Sequence, residues 1–308
     1  MNHRIPKEHY VSVNQTQLCV WEWPGSLQAG TSQSTALQPI VLCHATGFHG
    51  RCWDQVVNAL PDQHIFAIDT RFHGRSDKEG EVSWNTMAND VAEVITHFDL
   101  HNMVAVGHSM GGYLVAYVAS LMPERFKQLV LIDPVIMSPE SYLQLLTALN
   151  AMGDFEHPTA RRRSQWSSPQ EMAEKFSQRQ PFDQWNKEVL RDYCQYGLLE
   201  NPSGDGFILA CPPEKEAACY MIKDDGSTIY SAIARLRTPT TLVRARSRNE
   251  SDEMFSFDPS PTWEKLSEQI AICRDVQLPD HSHFIPMEDP ALVVEYIREA
   301  IADQWHEQ

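Results

Sequence analysis

The chain has 308 residues, 42% apolar and 21% charged, with 25 Lys and Arg against 41 Asp and Glu, for a net charge of -16. This describes a globular protein of one large or two smaller domains, and its negative field opposes binding to nucleic acid or an anionic membrane surface. No apolar run approaches the roughly 20 residues of a membrane span. The opening MNHRIPKEHY lacks the apolar stretch of a secretory signal. Seven cysteines (Cys19, Cys43, Cys52, Cys194, Cys211, Cys219 and Cys273) are odd in number, scattered and without a C-x-x-C pair. They predict reduced thiols in a cytoplasmic protein. The expectation is a soluble monomer or homodimer acting on a small molecule, without cofactor.

Along the chain, the alternation in YVSVNQTQLCVWEW (10–23) predicts an antiparallel hairpin turning at Asn14-Gln15-Thr16. PGSLQAGTSQSTALQ (24–38) reads as a mobile surface loop, and PIVLCHAT (39–46) as a buried strand. A helix follows over 51–60, ending at Pro61, then the strand HIFAIDT (64–70). Residues 83–100 carry a helical stripe of Met87, Val91, Val94, Ile95 and Phe98, with Ser83 as the N-cap. NMVAVGHS (102–109) is a strand, 110–122 a helix stopped by Pro123, and KQLVLID (127–133) a strand. Strands alternating with helices predict right-handed crossovers and a mostly parallel, twisted α/β sheet with helices on both faces.

That rhythm stops at 138–235, which offers helical stretches and no clear strands. It resumes with a strand at 238–245, a helix near 261–270, a strand at 274–280 and a helix over 289–305 opened by Asp289 and Pro290. The predicted organisation is a core of residues 1–137 and 236–308 interrupted by a helical insertion, 138–235.

Gly107-His108-Ser109-Met110-Gly111 joins a predicted strand directly to a predicted helix. In that context G-x-S-x-G is a nucleophile elbow, with the serine on a turn too sharp for side chains two residues away. A serine hydroxyl needs a general base and an acid that orients it. PDHSHFIPMEDP, after the last strand, offers His283 and, as the lesser candidate, His281. Two backbone N–H groups should hold the oxyanion. Met110 supplies one, and the loop HATGFHG (44–50) the other, from Thr46 or, as the lesser candidate, Ala45. His44 reads as a brace of that loop. Asp133, at a strand's carboxyl end, leads as the acid, with Glu250 and Asp252 in RARSRNESDE as alternatives.

Together, HATGFHG, DTRFHGRSD (69–77), GHSMGG and HFIPMEDP (283–290) resemble, in that order, the α/β-hydrolase fold superfamily over nearly the whole chain. The resemblance implies a serine hydrolase with 138–235 as a helical cap after the sixth strand. Ala45 stands where many members have glycine, and the usual Gly-x-x-Asp turn after the seventh strand is missing. Some members place the acid after the sixth strand, which favours Asp133. Relatives that dehalogenate alkanes or open epoxides carry Asp at the position of Ser109. His73 matches the family's structural loop.

Ester, thioester or lactone hydrolysis is the expected reaction. Hydrolysis of a carbon–carbon bond in a diketone-type product is the runner-up, and a capped ligand-binding protein the alternative from another class. The aromatics Trp166, Phe176, Phe182, Trp185, Tyr193 and Tyr196 read mainly as core, with some expected to line a pocket. Arg161-Arg162-Arg163 is either a solvated face or a carboxylate site. His281-x-His283 has no evident third ligand, so no metal is expected.

Overall fold

The computed structural model describes residues 3–25, 38–151, 156–252, 256 and 258–302. The predicted hairpin forms from β1 (Lys7–Val13) and β2 (Thr16–Trp23), with Asn14 and Gln15 both at positive φ. Residues 26–37 of the expected loop lie outside the described residues. The strands β3 (Ile40–Cys43) and β4 (Ile65–Ile68) are buried along their whole length, as apolar runs covered on both faces must be. The predicted 51–60 helix is a 3-10 turn (Gly50–Trp53) leading into the short α1 (Asp54–Asn58).

Three more elements complete this half: α2 (Trp84–His97), capped by Ser83, β5 (Met103–His108) and α3 (Met110–Leu121). The strand β6 (Phe126–Ile132) follows. After an insertion, β10 (Thr240–Arg244), β11 (Cys273–Gln277), α9 (Ile285–Glu288) and α10 (Pro290–Ile301) close the chain. Asp289 caps α10 by accepting the Leu292 N–H at 2.9 Å.

The eight strands run in the order β1-β2-β4-β3-β5-β6-β10-β11. Only the β1–β2 and β2–β4 pairs are antiparallel. One face buries apolar side chains of α2 and α3 together with Ile229, Ala232 and Ile233 from the insertion, the other those of α1 and α10. β5 therefore lies between β3 and β6, and the carboxyl ends of these strands and of β10 share one edge.

Between β6 and β10 lie α4 (Pro139–Ala151), α5 (Pro169–Phe176), α6 (Lys187–Tyr196), α7 (Pro213–Tyr220) and α8 (Ser227–Arg235). This stretch is not purely helical, which corrects the expectation of helices without strands. β7 (Gln165–Trp166), β8 (Leu198–Glu200) and β9 (Phe207–Leu209) form a small antiparallel sheet. Strands of two or three residues are too short to leave an alternation in the sequence. The helix expected near 261–270 is also corrected: only a 3-10 turn, Ser267–Gln269, forms there. Pro259 and Pro261 flank Ser260, and the hydroxyls of Ser260 and Thr262 turn inward to Asp133 instead.

Candidate active site

Ser109 separates β5 from α3 with φ 55° and ψ -115°, a conformation that L side chains rarely adopt. Two glycines permit it. A Cβ on Gly107 would come 2.3 Å from the Gly111 carbonyl oxygen, and one on Gly111 2.2 Å from that of Cys43. The elbow is also fastened from outside: Ser109 N–H donates to Ile132 O at 3.0 Å, and its carbonyl accepts Val135 N–H at 3.1 Å. The hydroxyl is thereby presented at the strand edge.

Ser109 Oγ lies 2.9 Å from His283 Nε2, and His283 Nδ1 lies 2.6 Å from Asp133 Oδ2. A carboxylate can only accept, so Nδ1 carries the imidazole proton and Nε2 accepts the serine O–H. Asp133 is wholly buried at φ 44°. Its other oxygen, Oδ1, accepts Ala245 N–H at 3.1 Å and the Ser260 hydroxyl, and lies 3.2 Å from Thr262 Oγ1, whose hydroxyl it shares with Pro134 O at 2.7 Å. A buried carboxylate with so many donors stays fixed in direction.

His283 is held by its backbone: its N–H donates to Asp258 O at 3.0 Å, and its carbonyl accepts His108 Nε2–H at 2.8 Å. Burial pushes the His108 imidazole well below its usual value, so no second cation forms behind His283. Sequence reasoning missed His108, Ser260 and Thr262. His108 was legible only as the variable position of the motif, Thr262 fell in the stretch read as helix, and Ser260 lay just before it.

The other sequence candidates lie elsewhere. Glu250 is exposed. Asp252 is bound by Arg246 at 2.7 and 3.0 Å and by Asn249 N–H at 2.8 Å, which hold its carboxyl down at about 2. His281 Nε2 faces Asp289 Oδ2 at 3.9 Å. Buried His44 accepts Thr70 N–H on Nε2 at 3.1 Å and donates from Nδ1 to Ala45 O at 2.7 Å, the brace its position suggested. Burial keeps His73 neutral too, and its Nδ1 donates to Arg71 O at 2.8 Å.

Met110 is the first residue of α3, so its N–H has no partner within the helix. Thr46, across the site, reaches Met110 Sδ with its Oγ1 at 3.4 Å. A cavity of about 890 Å³ opens on Ser109, His283 and Thr46. Trp84, Met137, Tyr142, Leu145, Ile222 and Trp263 supply apolar wall, so α4 and the approach to α8 face Ser109 and His283.

The six aromatics named from the sequence are not among the residues lining this cavity. Trp166, Phe176, Trp185 and Tyr193 join Phe48 and Phe284 in a separate buried cluster, with Phe182 against it. Tyr196 stacks 3.8 Å from the Arg51 guanidinium. The arginine run is engaged as well: Arg161 with Glu156 at 2.9 Å, Arg162 with Glu216 at 2.6 Å and Arg163 with Glu171 at 2.8 Å. Among the described residues, no helix is long and apolar enough to cross a membrane.

The sequence model of the alpha/beta hydrolase fold family matches residues 38–290. Lipase LipV of Mycobacterium tuberculosis is 24% identical over 264 residues, 84% of this chain and 91% of LipV. Esterase YbfF of Escherichia coli is 30% identical over 126 residues, 39% of this chain and about half (49%) of YbfF. Among solved structures, E-2-(acetamidomethylene)succinate hydrolase superposes with a TM-score of 0.72 at 19% identity, covering 96% of this chain and 99% of that one. The chain belongs to the alpha/beta hydrolase fold family and is a hydrolase.

Proposed function

We propose that this hydrolase cleaves a carboxylic ester, thioester or lactone of a small to medium acyl group through an acyl-enzyme on Ser109. The observation that carries the reading is the unbroken relay from Ser109 Oγ through His283 to a buried Asp133, with bonds of 2.9 and 2.6 Å, opening on a cavity. His283 Nε2 takes the serine proton as Oγ attacks the carbonyl carbon. The N–H groups of Met110 and Thr46 stabilise the oxyanion. The protonated imidazole gives its proton to the departing alcohol or thiol, or to the ring oxygen of a lactone. Water then loses a proton to His283 and attacks the acyl carbon, releasing the acid and restoring Ser109. Asp133 keeps Nδ1 protonated and stabilises the imidazolium, and it is favoured over Glu250 and Asp252 because it alone contacts His283.

On this reading residues 138–235 are a cap domain that lends α4 and α7 to the cavity wall. The volume of about 890 Å³ lies near the upper end for small-molecule sites. The seven free cysteines support a cytoplasmic setting.

Labelling with a fluorophosphonate, read by intact mass and peptide mapping, tests the assignment. One adduct on Ser109 with matching loss of esterase activity is expected. Ser109→Ala that still labels and turns over esters would overturn it.

A further inference from the structure

The proposed oxyanion donor Thr46 sits on a loop that the β6–β10 insertion contacts directly. In α7, Glu216 is 6% exposed, and its Oε2 accepts from Arg162 Nη1 at 2.6 Å. Arg162 Nη2 also donates to the Tyr193 hydroxyl at 3.1 Å, so the guanidinium ties α7 to α6. Glu216 Oε1 points at the loop: a Cβ on Gly47 would come within 2.5 Å of it. The carboxylate therefore rests on the bare Cα of the residue after Thr46, at φ +81°. One turn further along α7, the Tyr220 hydroxyl reaches Thr46 O at 3.5 Å. The far end of the loop is fixed to the core, with Gly50 N–H donating to Asp69 Oδ1 at 2.6 Å. Next to it, His49 Nε2 donates to Tyr193 O at 3.1 Å.

A buried ion pair adds little net stability, because desolvation offsets most of the attraction. The location of this one carries the information. It lies where the insertion meets the loop whose N–H must be aimed at a developing oxyanion, and such donors work only within a few tenths of an ångström of their target. From this we infer that Glu216, held by Arg162, is a positioning residue that sets the Thr46 N–H by bearing on Gly47. The inference rests on the serine-hydrolase reading above. It makes the insertion part of the catalytic geometry as well as a wall of the cavity.

The test compares an oxygen ester with its thionoester, whose sulfur is a larger and poorer acceptor and gains less from aimed N–H groups. Glu216→Gln keeps the side-chain shape and removes the charge. Its kcat on a p-nitrophenyl ester should fall about tenfold per titrated active site, a fraction of the roughly 10²–10³ lost with a whole oxyanion donor. KM should stay within about twofold, and the ester-to-thionoester ratio should shrink by a factor comparable to that in kcat. Arg162→Lys should act in the same direction more weakly. Because Arg162 is partly exposed, this variant carries the test on the same criteria if Glu216→Gln does not fold. Lower melting temperatures with kcat and the ratio unchanged in both variants would overturn the inference. Ser109→Ala retaining ester turnover would instead sink the reading beneath it.

Discussion

The carboxyl ends of β6 and β10 are neighbours in the sheet, and each leads to acidic residues, yet they hold them in opposite ways. At β6, Asp133 is wholly buried, its Oδ1 bonded to groups from 245, 260 and 262, and its Oδ2 to His283. At β10, Arg246 and the Asn249 N–H occupy the carboxylate of Asp252, and Glu250 stands in solvent. A strand end yields a directed carboxylate only when its other lone pairs are filled and its competing cations are absent. The loop after β10 has still been put to use, since it supplies the donors that aim Asp133. The two ends act together, with the buried carboxyl group at one strand and the groups that hold it following the other.

The sharpest way to break this contrast is exchange of the acids. Asp133→Asn should lower kcat about 10³–10⁴-fold, because the amide favours the wrong imidazole tautomer. Asp252→Asn and Glu250→Gln should leave kcat within about twofold. Steady-state kinetics on folded protein, checked by circular dichroism, would read this. A large loss in Asp252→Asn with little in Asp133→Asn would reverse the assignment.

The buried side of the contrast should also be sensitive to acid. Burial lowers the imidazoles of His44, His49, His73 and His108, His49 to about 4. Their folded values lie below the usual 6.5, so the unfolded chain takes up protons that the folded chain refuses. Stability is therefore complete above about pH 6.5 and falls as pH drops towards 4, by up to about 1.4 kcal/mol per unit for each such group. Denaturant midpoints across pH 7 to 4.5 would follow it, and a flat profile would contradict the burial argument.

A milder probe removes the holder and leaves the acid. Ser260→Ala with Thr262→Val should lower kcat roughly tenfold and stability by about 1–3 kcal/mol, since the buried Asp133 carboxyl group would lose the hydroxyls that hold it. Weakest of all should be the arginine run. Arg161 and Arg163 are ion-paired at the surface, and replacing them with Gln should change stability by less than about 1 kcal/mol. KM should move equally for neutral and acidic esters. A selective rise for acidic esters would restore carboxylate recognition there.

What the sequence disclosed follows from the range of the interactions involved. The elbow was legible because Gly107 and Gly111 are demanded by local backbone contacts. The sheet rhythm was legible because β3, β4 and β5 are buried along their length and read as apolar runs. Asp133 and His283 could be placed by their strand ends. The partners of Asp133 were hidden, because Ser260 and Thr262 lie some 130 residues away and carry no periodic signal. β7, β8 and β9 were hidden by brevity. Of the aromatics at 166–196, Trp166, Phe176, Trp185 and Tyr193 are core, as suspected, but none of the six lines the cavity at Ser109, because the insertion packs that cluster on Phe48 and Phe284. Glu216 gave no signal at all, since its meaning lies in its contact with Gly47.

The most direct measurement of the central claim is pre-steady-state hydrolysis of p-nitrophenyl esters of increasing acyl length by the native chain, beside Ser109→Ala and Asp133→Asn. A burst equal to the active-site concentration followed by slower turnover is expected, with no burst in Ser109→Ala and a burst slowed about 10³–10⁴-fold in Asp133→Asn. Turnover by Ser109→Ala at the native rate, or a native-rate burst in Asp133→Asn, would contradict it.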